Sequence, residues 1–142
     1  MGEVLIGTCS WTDPTLIRSG RFYPAEAKSA EARLQFYASQ FRLVEVDSSY
    51  YSLPSEETAT LWAQRTGPDF VFDVKAFRLF TTHPTPLPVL PKDIRASLPS
   101  DLQHKANIYQ RDLPQRIIDD LWTRFDRALL PLDSAGKLGT VL

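Results

Sequence analysis

The sequence has one cysteine, two histidines and almost no excess charge of either sign, and each scarcity closes off a class of explanation. A lone Cys9 excludes an internal disulfide and fits a reducing cytosol, so a cytoplasmic setting is expected. Neither histidine falls on an expected strand, and no His-x-His or Cys-x-x-Cys spacing exists. No metal site is therefore expected from this chain's own residues, although Glu45 and Asp47 could hold a hard cation with ligands from elsewhere. The early apolar run "VLIG" is far too short for the core of a signal peptide, and nothing approaches a membrane span. A formal net charge of −1 provides no basic field to draw nucleic acid or an anionic membrane. Phosphate loops and dinucleotide fingerprints are missing, and "GKLG" reads as a turn before a strand. No motif names a cofactor.

What is present is ordinary globular material with a bias toward proline. The 142 residues are 43% hydrophobic and 23% charged, a length and balance able to bury roughly two-thirds of the unfolded chain's surface. Eleven prolines are many for this size, and five of them lie between Pro84 and Pro99.

Strand and helix alternate along the chain. "EVLIGTCSW" reads as a short buried strand, with Cys9 a small buried residue. "SAEARLQFYASQF" places Leu34, Tyr37, Ala38 and Phe41 at helical spacing behind a Ser29 cap. "RLVEVDSSYY" is a second strand. "LPSEETATLWAQRT" is a second helix, with Ser55 as N-cap and Glu56 and Glu57 in the first turn, where the helix dipole favours negative charge. "DFVFDVKAF" is a third strand. A proline-rich connection from Arg78 to about Arg111 holds one short helix near Pro91 to Leu98. "DLPQRIIDDLWTRFDRALLPL" is the clearest helix, with Asp112 as cap, Pro114 in its first turn and an apolar face of Ile117, Ile118, Leu121, Trp122, Phe125 and Leu129. "GKLGTVL" opens a fourth strand.

Strands separated by helices call for right-handed crossovers and a parallel sheet. The expectation is an α/β chain of (β/α)8 TIM-barrel type, with residues 1–142 as the N-terminal part of one barrel domain. It would hold about the first three and a half β/α units, a truncated half-barrel. A complete four-stranded open sheet is the alternative.

The stretch "LVEVDSSYY" then raises a question of faces. Alternate side chains of a strand share a face, so Val44 and Val46 lie on one side, with Glu45 and Asp47 on the other. In the third strand Val74 opposes Asp73 and Lys75. If the valines meet the helices, the charges point into the barrel, toward its C-terminal mouth. Burying them unpaired costs several kcal/mol each, so Lys75 is expected beside Glu45 or Asp47, with Asp73 on the same face. Either a polar site floor or a plain structural ion pair results.

At this point "IGTCSWTDP", "FYP", "VEVDSSYYSLPSEETATLWAQRTGPDFVFDVKA" and "GKLGTVL" resemble the YecE-like family, also called the domain of unknown function 72 family. The resemblance spans Ile6 to Leu142 and implies a TIM barrel of about twice this length, with no reaction attached. Two departures stand out: Cys9 where Ser or Gly is frequent, and a long Arg78–Arg111 connection.

The candidate catalytic residues are Glu45, Asp47 and Lys75. The candidate ligand-binding residues are Ser10, Trp11, Ser48, Tyr51 and Arg78. Trp11 and Tyr51 could instead plug the barrel top, Ser48 could shape the backbone, and Arg78 could pair with a surface carboxylate. Three functions compete. One is an enzyme using Lys75 with Glu45 or Asp47 on a small polar or phosphorylated substrate at the barrel mouth. Another is a nucleotide or nucleic-acid binder resembling endonuclease IV-type folds, with Arg78 on phosphate and Trp11 and Tyr51 stacking. The last is an inactive truncated fragment. Lys75 is expected to remain protonated, as an anion or carbonyl anchor and not a Schiff-base nucleophile.

Overall fold

The structure, a computed structural model, describes residues 2–142. Four short strands, β1 (Gly7–Cys9), β2 (Leu43–Val46), β3 (Val71–Val74) and β6 (Leu138–Val141), pair in the order β1-β2-β3-β6, every pair parallel. After a short α1 (Pro14–Arg18), the crossovers run through α2 (Ala30–Gln40), α4 (Glu56–Gln64) and α6 (Gln115–Ser134). No helix among the described residues is long and apolar enough to cross a membrane.

Local chemistry sets the helix starts. Ser29 and Ser55 accept hydrogen bonds through their hydroxyls from the Ala32 and Thr58 amides, so each N-cap satisfies an otherwise orphaned donor. Asp112 does not cap α6. Pro114 holds that N-cap position, and the Asp112 carboxylate instead accepts from the Tyr109 amide across a preceding 3₁₀ turn, residues 110–112. The second strand also ends sooner than its β-branched sequence suggests. The chain turns helical at α3 (Ser48–Tyr51), because the buried Ser49 hydroxyl bonds back to the Val46 carbonyl at 2.9 Å and across to the Lys75 carbonyl at 2.7 Å.

The helix-side core takes Val44, Val46, Phe72 and Val74 from the sheet and packs them against Leu34, Tyr37, Trp62, Phe125 and Leu132. Tyr37 is fully buried, yet its hydroxyl has work: the Thr8 amide donates to it at 2.8 Å and it donates to the Leu43 carbonyl at 3.1 Å. Tyr37→Phe should cost about 1–2 kcal/mol by stranding the Thr8 donor. Urea unfolding of the two proteins would measure it, and equal midpoints would show that water reaches that amide.

The connection after β3 is not a loop draped over the surface. It forms a two-strand antiparallel pair, β4 (Thr85–Pro86) with β5 (Asn107–Ile108), and the short helix α5 (Lys92–Ala96). Leu79, Leu90, Ile94, Leu98, Leu102 and Ile108 bury a second core against Ile117, Ile118 and Leu121 of α6. Trp122, expected on the apolar face of α6, is 38% exposed, with its ring stacked on Phe80 at 3.8 Å between centroids.

Candidate functional site at the strand ends

Helices cover one face of the sheet, and the other face carries the charge. Register places Cys9 beside Glu45 and Glu45 beside Asp73, one above another on that helix-free face. Lys75 follows β3 directly, and Asp47 follows β2. The Lys75 ammonium donates to Asp47 Oδ1 at 2.7 Å and reaches Glu45 Oε1 at 3.0 Å. All three side chains are roughly one-third exposed, at 28–32%. Two of the ammonium's three donors are thus engaged, and the third faces only the weak Cys9 Sγ acceptor, 3.9 Å away.

The electrostatics follow from this packing. Hydrogen bonds from Lys75 to Asp47 and then Glu45 raise the lysine pKa above its ordinary value, so it stays an ammonium. A hydrogen bond with the Cys9 thiol, then one from Lys75, holds the Glu45 carboxyl below the usual range. The same Glu45 bond, with burial and the Asp47 charge, pushes the Cys9 thiol up to about 11. Cys9 is therefore a protonated S–H at neutral pH and a poor nucleophile. It is also exposed, not buried as its apolar context suggests, because edge strand β1 has a neighbour on one side only. With the ammonium compensating one of two carboxylates, the trio carries a net charge of about −1.

Cys9, Glu45 and Asp47 each offer a ligand atom within 4.8 Å of the others. A hard cation could use the two carboxylates, but it would have to displace the Lys75 ammonium that already bridges them. Asp73, expected as a further partner of Lys75, is occupied elsewhere: its Oδ1 accepts the Thr140 amide of β6 at 2.7 Å.

The other sequence candidates separate. Arg78 sits three residues beyond Lys75, and its amide donates to the Tyr50 carbonyl at 3.0 Å. Its guanidinium lies 5.3 Å from the Tyr50 ring centre, its Nε is buried with no partner, and it joins no ion pair among the described residues. Tyr51 is 54% exposed and edge-on to Tyr50, which also meets His83. Ser48 is exposed at the start of α3, its carbonyl taking the Ser52 amide. Ser10 bonds through its amide to the Glu45 carbonyl at 2.9 Å and adopts a left-handed φ of 69°, a conformation that disfavours a residue with a Cβ.

Trp11 does not join them. It is 7% exposed and packs edge-on to Trp62 at 5.5 Å and against Phe72, in the helix-side core. Its ring is thus packed against core aromatics, as the barrel-plugging alternative for Trp11 describes. Ser49, which ties the ends of β2 and β3 together, carries no sequence signal beyond its place in "DSSYY".

Known proteins give the following matches. The chain is 34% identical over 80 residues to UPF0759 protein YunF of Bacillus subtilis (strain 168), covering 56% of this chain and 26% of that protein. Two crystal structures of a DUF72 family protein from Enterococcus faecalis V583 match 76% of this chain at 22% and 23% identity, each with a TM-score of 0.46. This chain spans 33% and 30% of those structures, and about a quarter of the Bacillus relative. Residues 5–142 match the family described as "Protein of unknown function DUF72", and the chain belongs to that family.

Proposed function

We propose that Glu45, Asp47 and Lys75 form the polar floor of a substrate site at the C-terminal mouth of a TIM-type β/α barrel, of which residues 1–142 make up the N-terminal part. The observation that carries this reading is the convergence of three charges, 2.7–3.0 Å apart, on the helix-free face at the strand ends. In barrels of this type the active site sits at this end of the strands.

The charge distribution refines the substrate class. Lys75 is neutralised by two carboxylates and offers its remaining N–H to a carbonyl or hydroxyl, so it is a weak anchor for an anion. Arg78, free of ion pairs among the described residues, is the better anchor for phosphate or carboxylate. The reading is an enzyme acting on a small phosphorylated or carboxylated molecule bearing hydroxyls. Arg78 holds the anionic group, Glu45 and Asp47 accept from the hydroxyls, and a carboxylate released from Lys75 by the incoming substrate takes the proton.

Thermal-shift titration with sugar phosphates, the parent sugars and mononucleotides tests this. Phosphorylated sugars should raise Tm in the native protein, the parent sugars much less, and Arg78→Gln should lose most of the difference. An equal response from Arg78→Gln, or mononucleotides as the strongest ligands, would count against the assignment.

A further inference from the structure

The connection after β3 brings a histidine to the ring that Arg78 also touches, and bonds within this chain fix how that histidine presents itself. His83 lies edge-on to the Tyr50 ring, with 5.6 Å between ring centres, and the same ring carries the Arg78 guanidinium at 5.3 Å. Tyr50 is tied to Arg78 again through its carbonyl, which accepts the Arg78 amide at 3.0 Å. One aromatic ring thus has an imidazole and a guanidinium as immediate neighbours.

The segment between them is a closed turn. The His83 amide donates to the Arg78 carbonyl at 3.1 Å and the Thr82 amide to the Leu79 carbonyl at 3.3 Å, the pair of bonds that ends a helix in a Schellman motif. That motif usually sets a glycine in the left-handed region, but here the residue is Thr82, at φ 63°. A β-branched side chain is disfavoured there and persists only where its surroundings hold it. They do so on both sides. Leu79 and Thr85 are fully buried, and the Thr85 hydroxyl donates to the His83 carbonyl at 3.1 Å.

The imidazole is held as well as the backbone. The Thr81 hydroxyl lies 2.8 Å from His83 Nδ1 and 3.2 Å from the Arg78 carbonyl oxygen. A hydroxyl has one proton to give. If that proton goes to the carbonyl, Nδ1–H donates to the hydroxyl oxygen and both contacts are hydrogen bonds. If it goes to Nδ1, the bond to the carbonyl is lost. The two-bond arrangement is the more stable. It puts the proton of the neutral imidazole on Nδ1 and leaves Nε2 as an acceptor, since the bond at one ring nitrogen sets the role of the other.

Building on Arg78 as the anion anchor, we infer that His83 is a ligand-recognition residue of the same site, whose Nε2 accepts a hydroxyl of the molecule that Arg78 holds by its anionic group. Thr81 is the positioning residue that keeps Nε2 unprotonated. The substrate class narrows accordingly: a bare anion satisfies Arg78 alone, whereas a hydroxylated anion satisfies both residues.

Calorimetric titration with two probes separates these parts: sulfate, an anion with no hydroxyl, and glucose 6-phosphate. The native protein should bind glucose 6-phosphate more tightly than sulfate. His83→Phe, which keeps a ring against Tyr50, should weaken glucose 6-phosphate roughly tenfold and leave sulfate unchanged. Thr81→Val should act in the same direction and Thr81→Ser should restore binding, so this pair carries the comparison if circular dichroism shows His83→Phe unfolded. Arg78→Gln should weaken both probes. Nitrogen-15 spectra of the unliganded protein read the tautomer directly and should show Nδ1 protonated in the neutral ring. A neutral ring protonated on Nε2 would overturn the assignment. So would glucose 6-phosphate binding that His83→Phe leaves unchanged while Arg78→Gln abolishes it, and in that case the anion anchor stands. If neither probe binds, or Arg78→Gln alters neither, the anion anchor fails and the role of His83 falls with it.

Discussion

Lys75→Met is expected to lower stability at neutral pH by about 1–2 kcal/mol and to change how the protein responds to acid. The cost is set below that of a fully buried pair because all three side chains keep about a third of their surface in water. The pH effect follows from the direction of each shift. Glu45 is depressed, so its contribution to the native protein is present above the ordinary glutamate value of 4.5 and is lost as pH falls through its lower folded value. Lys75 is raised, so its contribution is complete at neutral pH and fades only in strong alkali. Removing the ammonium leaves Glu45 and Asp47 facing each other, and one of them then gains from protonation. The stability gap between variant and native protein should therefore narrow as pH drops from neutral toward 4.5. Urea midpoints at the two pH values read this directly, and a gap that stays constant would mean that the three groups are not coupled.

Gly7→Ala should be more damaging, at about 3 kcal/mol. A Cβ on Gly7 would lie 2.0 Å from the Leu43 carbonyl oxygen and 2.7 Å from its carbon, both backbone atoms of the neighbouring strand. Neither can yield without breaking the β1–β2 pairing, which also positions Cys9 and the Ser10 amide against Glu45. Gly67→Ala is the matched control, because a Cβ there would meet nothing within 4 Å; it should be close to neutral. Denaturation midpoints and exchange of the Ser10 amide would compare them. Similar midpoints for the two variants would show that β1 contributes little to the fold.

The parts of the fold written in local chemistry were legible in the sequence. Ser29 and Ser55 mark true helix starts, and the parallel α/β order follows from strands spaced by helices. The meeting of Lys75 with Glu45 and Asp47 follows from period two along β2 and from the cost of unpaired charge. What escaped had non-local causes. The left-handed turn at Ser10 breaks the alternation after β1 and sends Trp11 into the helix-side core, which no spacing rule anticipates. Asp73 looks like a partner for Lys75 until β6 is placed, because its acceptor goes to the Thr140 amide. The proline-rich segment hides a second core, since Leu79, Leu90, Ile94, Leu98 and Leu102 follow no single period and are organised by the face of α6 they cover.

An anion-accepting polar site at the strand ends stands or falls on Arg78 as its free cation. Nuclear magnetic resonance of the Arg78 Nε–H during titration with a sugar phosphate reads this at the residue itself, because that group is buried and unpartnered in the unliganded chain. A saturable shift of this signal, together with the amides of Asp47, Tyr50 and Lys75, is expected. Shifts confined to Arg124 and Arg127 on α6, with the Arg78 signal unmoved at saturation, would contradict it.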